Sequence, residues 1–573
     1  MLKEEIKNLI NTVIPIKVDF DIEEPEKEMH GDYATNVALI LAKQLKGDPI
    51  KFAQQIEVKL TRLMAKKGIS LFEKIEVARP GFINFFLKPE FLQSQLKEIL
   101  KEGDGYGKQE IGKGKTVVID FSSPNIAKPM HVGHLRSTII GQALCNIYKA
   151  LGYNVIGDNH LGDWGTQFGI MIAAYKKYKS LLGGKKITVE KMLEAYVKFN
   201  AEIEKKPELQ EVAREEFRKL EQGDKENRKI WKTLRKESLK EFDKVYKLLG
   251  INFNTILGES FYEKYSQKII EKALKKKVAI QNSDGSIIIP LDKFNLPPFL
   301  IQKSDGATLY SLRDLAAIKY RVKKYDPEKI IYVVGNEQSL YFEQLFRAAE
   351  LLGYISYDKL VHVKFGFVLD ENKKKLATRA GRFISAKELI DKIIRLAEKV
   401  VKEKNPKLSK KEIKKIAEIV GIGALKYADL SQNRQTNIVF DWKKVLSLEG
   451  NSGPYLLYSY VRLKSIFKKA KVKKSSFRKF DPGLLIEDEE IEILKELIKF
   501  PEKIEEAGIK FQINLLANYL YKLASLVNVF YEQIPVIKAE KDLKISRLAL
   551  ISAVLIVLQN GLNLLGIETS DKM

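Results

Sequence analysis

Two hydrophobic periods alternate along the chain. LKEEIKNLI, ATNVALILAKQL and PIKFAQQIEVKLTRLM place apolar residues three and four apart, the spacing of one helix face, while KIEVA and FINFFL read as short strands. Residues 103–115, GDGYGKQEIGKGK, carry glycine every few positions with no strand leading into them, and read as a linker. TVVIDFSS, 116–123, is a continuous β-branched run typical of a strand buried on both faces. Leu135, Ile139, Ala143, Ile147 and Leu151 follow at helical spacing, and Gly152 ends that helix. YNVIGDNHLGDWGTQFG is a second strand with a glycine-rich tip, and KIIYVVGN followed by EQSLYFEQLFRAAELLG is a third strand–helix step. Strands alternating with helices predict an open parallel sheet, whose ligands sit beyond the carboxyl ends of its strands.

Between the second and third steps lies a charged, largely helical insertion, about 176–280, and from about 401 onward nearly everything reads helical. The most apolar stretch, 548–567, is interrupted by Gln559, Asn560 and Asn563 and predicts a buried helix rather than a membrane span. The N-terminus is charged and amphipathic, with no signal-peptide block. A 573-residue chain needs several cores. A lone cysteine, Cys145, excludes intrachain disulfides and cysteine zinc sites and suits a reducing cytosol. Lys and Arg outnumber Asp and Glu by 99 to 74, a net charge of +25 that draws polyanions such as RNA. A Lys/Glu-rich surface of the thermophile kind is the alternative source of that excess.

Three of the five histidines, His131, His134 and His160, fall within one thirty-residue stretch at predicted strand ends. His131 and His134 lack the Glu of H-E-x-x-H and open a helix instead of lying along its middle, so no metal site is assigned. Helix capping explains one of them. A polyphosphate pocket explains more: the helix N-terminus offers N–H groups and a positive dipole, Gly133 permits close approach, and two imidazoles with Lys128 add donors.

H-V-G-H after a first Rossmann strand resembles the HIGH motif of class I aminoacyl-tRNA synthetases, and FSSPNIAKPMHVGHLRSTIIG with NHLGDWGTQFG resembles the arginyl-tRNA synthetases in particular. MHGDYATNVALILAK is similar to that family's added N-terminal domain, and LSLEGNSGPYLLYSYVR to the start of its anticodon-binding helical domain. The resemblance implies an α/β Rossmann-type parallel-sheet catalytic domain at 111–400, a small α/β tRNA-binding domain at 1–110, and an all-α helical bundle at 401–573. It also implies an arginine–tRNA ligase: ATP activates L-arginine to arginyl-adenylate, and the arginyl group passes to the 3′ end of tRNA(Arg). Such an enzyme uses Mg²⁺, works in the cytoplasm without a membrane, and is taken as a monomer because no apolar patch or heptad seam stands out.

Within that resemblance His131 and His134 stabilise charge on the phosphates. Gly133, Gly162, Asp163, Trp164, Gly165 and Gln167 complete the ATP side, with core packing the alternative for Trp164. The second class I signature, KMSKS, is replaced by KKKLATRAGRFIS; Lys128 stands in for the missing lysine, joined by Lys375 and Arg379, with an exposed charged turn the alternative for Lys373 to Lys375. Arginine falls to Asp120, Asn125, Tyr310, Asp314 and Gln338, carboxylates matching a planar guanidinium. Asp120 stands where the family more often has Glu, leaving direct and water-bridged contact both open. A helix-terminal acid is the alternative for Asp314.

IFKKAKVKKSSFRKF, 466–480, carries seven basic residues and no acid, interleaved with phenylalanines. Its Lys468, Lys469, Lys471, Lys473 and Lys474, with Arg462 just before it, are candidates for tRNA contact, against a solvated basic linker. A synthetase-like RNA-binding protein without catalysis and a small-molecule nucleotidyltransferase are the competing functions.

Overall fold

In the computed structural model, which describes residues 1–182, 187–370, 372–374, 384–471 and 480–573, the run TVVID is strand β1, Thr116–Asp120, with Val117, Val118 and Ile119 fully buried. It is the centre of a parallel sheet. After it come helix α1 (Val132–Ala150), β2 (Asn154–Asn159), α2 (Thr166–Lys177), and the insertion helices α3 (Val189–Lys205), α4 (Glu208–Gln222) and α5 (Lys225–Leu248). β3 (Thr255–Ile256) then returns to the sheet beside β2. A short antiparallel sheet follows, β4 (Ile280–Gln281), β5 (Ile287–Ile289) and β6 (Phe299–Gln302). Next are α6 (Tyr310–Tyr325), β7 (Lys329–Tyr332), α7 (Ser339–Leu351) and β8 (Leu360–His362).

The parallel sheet has the order β8-β7-β1-β2-β3. From β1 the chain winds out through β2 and β3 on one side, and β7 and β8 occupy the other. The direction therefore reverses between β1 and β7, and crevices open at the carboxyl ends of strands at such a point. The insertion expected at 176–280 is helical through Leu248, but its last part contributes β3, a two-residue strand too short to show a period.

Two helices, α8 (Ala386–Lys404) and α9 (Lys410–Leu430), follow the sheet. Each opens on a reciprocal cap, Ser385 with Glu388 and Ser409 with Glu412, which satisfies backbone N–H groups that a helix start leaves unpaired. These elements belong to a compact unit made of Gln109–Leu457, Ala507–Ala517 and Leu562–Met573.

A second unit comprises Met1–Lys108, Tyr458–Glu506 and Asn518–Gly561. Its N-terminal part is an antiparallel four-stranded sheet, in spatial order Ile22–Glu23, Tyr33–Thr35, Phe82–Leu87 and Phe72–Ala78. Helix Pro49–Lys67 starts on Asp48, whose carboxylate accepts the Ile50 N–H, and ends at Gly68 in the left-handed region. The helical part meets this sheet through polar contacts, Tyr33 donating to Glu502 at 3.1 Å and Lys503 pairing with Glu24 at 2.7 Å. Helix Lys541–Leu564 is long and apolar enough to cross a membrane, yet 72% of its most apolar window is buried in the fold, as a core helix requires.

Candidate active site

A cavity of about 470 Å³ opens at the reversal point between β1 and β7. Its walls are residues 122–123 beyond β1, 131–134 at the start of α1, 333–335 beyond β7, and 365–368. The β1 exit turns sharply: Ser122, Ser123 and Ala127 all adopt positive φ, a cost non-glycine residues carry mainly at functional turns. Ser137 holds the turn to the far wall, accepting from Ser122 N–H at 2.8 Å and donating to Val333 O at 2.6 Å.

Both histidines cap α1. His131 Nδ1 accepts the Gly133 N–H at 3.1 Å, and His134 Nδ1 accepts the His131 N–H at 3.3 Å, with the rings 3.9 Å apart. Capping thus accounts for the pair, where the sequence reading granted it only one. It also decides what each ring offers. A neutral imidazole whose Nδ1 accepts carries its proton on Nε2, so the outer nitrogen is a donor. Burial, with His131 alongside, pushes His134 down to about 3; burial and the Lys128 charge lower His131 too. At neutral pH the helix start therefore presents uncharged Nε2–H donors. Lys128 Nζ lies 4.8 Å over the Tyr196 ring of α3.

Gln338 lines the same cavity, and α7 begins at the next residue. From its first turn the Tyr341 hydroxyl donates to Asp314, and Asp314 Oδ1 lies 3.2 Å from His160 Nε2. Burial works against a charge on His160, but Asp314, with Asp120 behind it, carries it up to about 9. The Tyr310 ring stands half exposed, 5.0 Å from Tyr341. Asp120 is buried and already faces a guanidinium, that of Arg321, whose Nη2 donates to it at 2.6 Å while Nε donates to Asp158 at 2.9 Å. Asn125 is exposed and packs on Gly162, where a Cβ would come within 2.1 Å of its Oδ1.

Residues 162–167 lie beyond β2, outside the cavity lining. Asp163 has no exposed surface: Arg235 Nε donates to its carboxylate at 3.0 Å, and Ser260 donates through both N–H and hydroxyl at 2.9 Å. Trp164 packs edge-on against Phe217 of α4 and Trp231 of α5. Gly165 and Gln167 flank the start of α2. Lys375 and Arg379 lie outside the described residues, as do Lys473 and Lys474. Ser385 bridges His131, and the Ala386 N–H donates to Met130 O at 2.8 Å.

A family model described as tRNA synthetases class I (R), catalytic domain, matches residues 95–442. An arginyl tRNA synthetase N terminal domain matches 1–87, and a DALR anticodon binding domain matches 456–573. The chain belongs to the arginyl-tRNA synthetase family. Among arginyl-tRNA synthetase relatives, the arginine–tRNA ligase of Clostridium kluyveri is 43% identical over 100% of this chain and 99% of its own. That of Fusobacterium nucleatum is 41% identical over 95% and 94%. The arginyl-tRNA synthetase structure from Plasmodium falciparum superposes with a TM-score of 0.85 at 27% identity, over 100% of this chain and 99% of that one. The Thermus thermophilus arginyl-tRNA synthetase shares the fold, with a TM-score of 0.84 at 24% identity over the whole of both chains.

In the DALR region Lys468, Lys469 and Lys471 are exposed at the end of helix Gly453–Ala470, whose dipole favours cations there. Arg462 instead stacks 4.6 Å over Tyr531 and lies 3.6 Å from Glu532. Tyr460 is core and donates to Gln559 at 2.6 Å, whereas Tyr458 is exposed. Among the described residues no group of three or more His, Cys, Asp or Glu side chains is arranged to hold a metal ion. Sequence reasoning missed the 365–368 wall, the Arg321 pair and His160 as the partner of Asp314. Only His160, noted in the histidine cluster, left a signal.

Proposed function

We propose that this chain is an arginine–tRNA ligase that activates L-arginine with ATP and transfers it to the 3′ end of tRNA(Arg). The arginine carboxylate attacks the α-phosphorus, the bond to the β-phosphate oxygen breaks, and pyrophosphate leaves. A hydroxyl of the terminal adenosine then attacks the arginyl carbonyl carbon and releases AMP. The observation that carries the reading is the pair of histidines that cap α1 through Nδ1 and line a cavity at the sheet reversal, an arrangement that leaves each Nε2–H as a donor. Neutral donors fixed by backbone bonds meet the charge growing on the phosphates without reorganising.

ATP lies along 131–134 with Lys128 beside its phosphates, and Mg²⁺ arrives with the nucleotide as part of the substrate. Lys375 and Arg379 add charge from their segment. Asp314, assisted by Tyr310, takes the guanidinium; Asn125 and Gln338 orient the α-amino and carboxylate end. Asp120 acts at one remove, since Arg321 occupies its carboxylate. Residues 162–167 shape the adenosine side through Gly162 and the Asp163-held turn. Lys468, Lys469, Lys471, Lys473, Lys474 and Arg462 meet tRNA phosphates. The enzyme works as a cytoplasmic monomer. Pyrophosphate exchange with arginine, with and without tRNA, tests the reading: exchange is expected with tRNA present. A folded chain that binds tRNA without exchange or charging would leave an RNA-binding protein instead.

A further inference from the structure

Arg136 takes no part in the steps above, yet its guanidinium is bonded to several groups beside the cavity. It projects from α1 two residues after His134 and is 2% exposed. Nε donates to Asp429 at 3.0 Å and Nη2 lies 2.9 Å from the same oxygen, at the end of α9. Nη1 donates to Gly366 O at 2.6 Å and reaches Thr436 O at 3.5 Å; Nη2 reaches Arg434 O at 3.4 Å, and the guanidinium carbon sits 5.4 Å over Phe365.

Three stretches far apart in sequence meet on this one planar fork. The first is the helix that carries His131 and His134. The second is 365–368, the opposite wall of the cavity. The third is 429–439, which braces that wall: Gly366 N–H donates to Arg434 O at 2.9 Å, Phe367 N–H donates to Asn437 Oδ1 at 2.8 Å, and Val368–Leu369 pairs in parallel with Ile438–Val439. A surface cation would need one partner. Here the donors are spread over one carboxylate and three main-chain carbonyls, so the side chain fixes a distance between backbones.

We infer that Arg136 is a positioning residue, setting the spacing between the His131/His134 donors and the 365–368 wall and thereby the pose in which ATP meets the attacking carboxylate. This rests on the reading of the cavity as the ATP site.

Two variants test it by different routes. Arg136→Lys keeps a cation beside Asp429 but lacks the fork that reaches three further carbonyls. Gly366→Ala leaves Arg136 intact but brings a Cβ to 2.5 Å from Thr436 O and 2.8 Å from Asn437 Oδ1, so the wall must shift. Misplacement on the ångström scale costs about 10²-fold in rate, so both variants should lose about that much kcat in tRNA-dependent exchange, expressed per folded molecule by circular dichroism. KM for arginine should stay unchanged, because Asp314 and His160 are untouched, while KM for ATP rises. A wild-type chain that exchanges no pyrophosphate would sink the ATP reading itself. An active wild type whose variants retain kcat per folded molecule, or lose arginine and ATP affinity equally, would overturn the role of Arg136 alone.

Discussion

His134 caps a helix in the same place where the proposed reaction needs a donor. Its Nδ1 accepts a backbone N–H, which leaves Nε2–H as a fixed donor. Loss of a cap costs about 1 kcal/mol of stability, whereas a transition-state donor is worth on the order of 10² to 10³ in rate. His134→Ala should therefore lower turnover by about 10²- to 10³-fold with a small fall in melting temperature and little change in arginine KM. Unaltered turnover would remove the imidazoles from the mechanism. Asp314→Ala removes the charged acceptor and should raise arginine KM roughly 10- to 100-fold, the equivalent of a charged hydrogen bond, with ATP KM steady. Normal saturation by arginine would move the pocket elsewhere. The two histidine shifts act on stability in opposite senses. His160, raised from 6.5 to about 9, stabilises the fold fully below pH 6.5 and loses that contribution as pH rises through about 9. His134, lowered from 6.5 to about 3, contributes fully above pH 6.5 and loses it as pH falls toward 3. A melting curve series should show His160→Gln flattening the alkaline limb while leaving the acid limb in place.

At the scale of elements, the parts legible in the sequence were those whose signal is local. The β1 run, the spacing of α1, the two histidines at its start and the glycine-rich turn after β2 each announce themselves within about twenty residues, where propensity and periodicity act. The rest arises from pairing at a distance. β3 is two residues long, and Arg321 reaches Asp120 across 201 positions. Asp163 is placed on the ATP side by the family resemblance alone. What no local signal foretells is that its carboxylate ties the turn to α5 through Arg235, while Trp231 N–H donates to Asp163 O at 2.8 Å. Breaking a pair with a fully buried partner is costly, so Arg235→Ala should destabilise the fold by on the order of 3 kcal/mol in chemical denaturation. A change within experimental error would mean that the Ser260 donors alone satisfy Asp163.

For the whole molecule, a net charge of +25 predicts a salt-dependent hold on tRNA. Phosphate contacts release counterions, so tRNA affinity should fall steeply as salt rises, while arginine KM moves little. Replacing Lys468 and Lys469 by alanine should lower the slope of log Kd against log salt by about one per lysine in binding titrations. An unchanged slope would return those lysines to ordinary surface solvation.

The two sides of the cavity come from opposite halves of the chain's order of synthesis. Ser137 and Val333, which join across it, are 196 positions apart, and the final wall ends only at Val368. A nascent chain halted before Val333 owns both imidazoles and none of the residues that face them across the cavity. If the cavity is the nucleotide site proposed above, competence to hold a nucleotide is expected late in translation, once 333–335, 365–368 and the bracing stretch 429–439 have met a helix made long before.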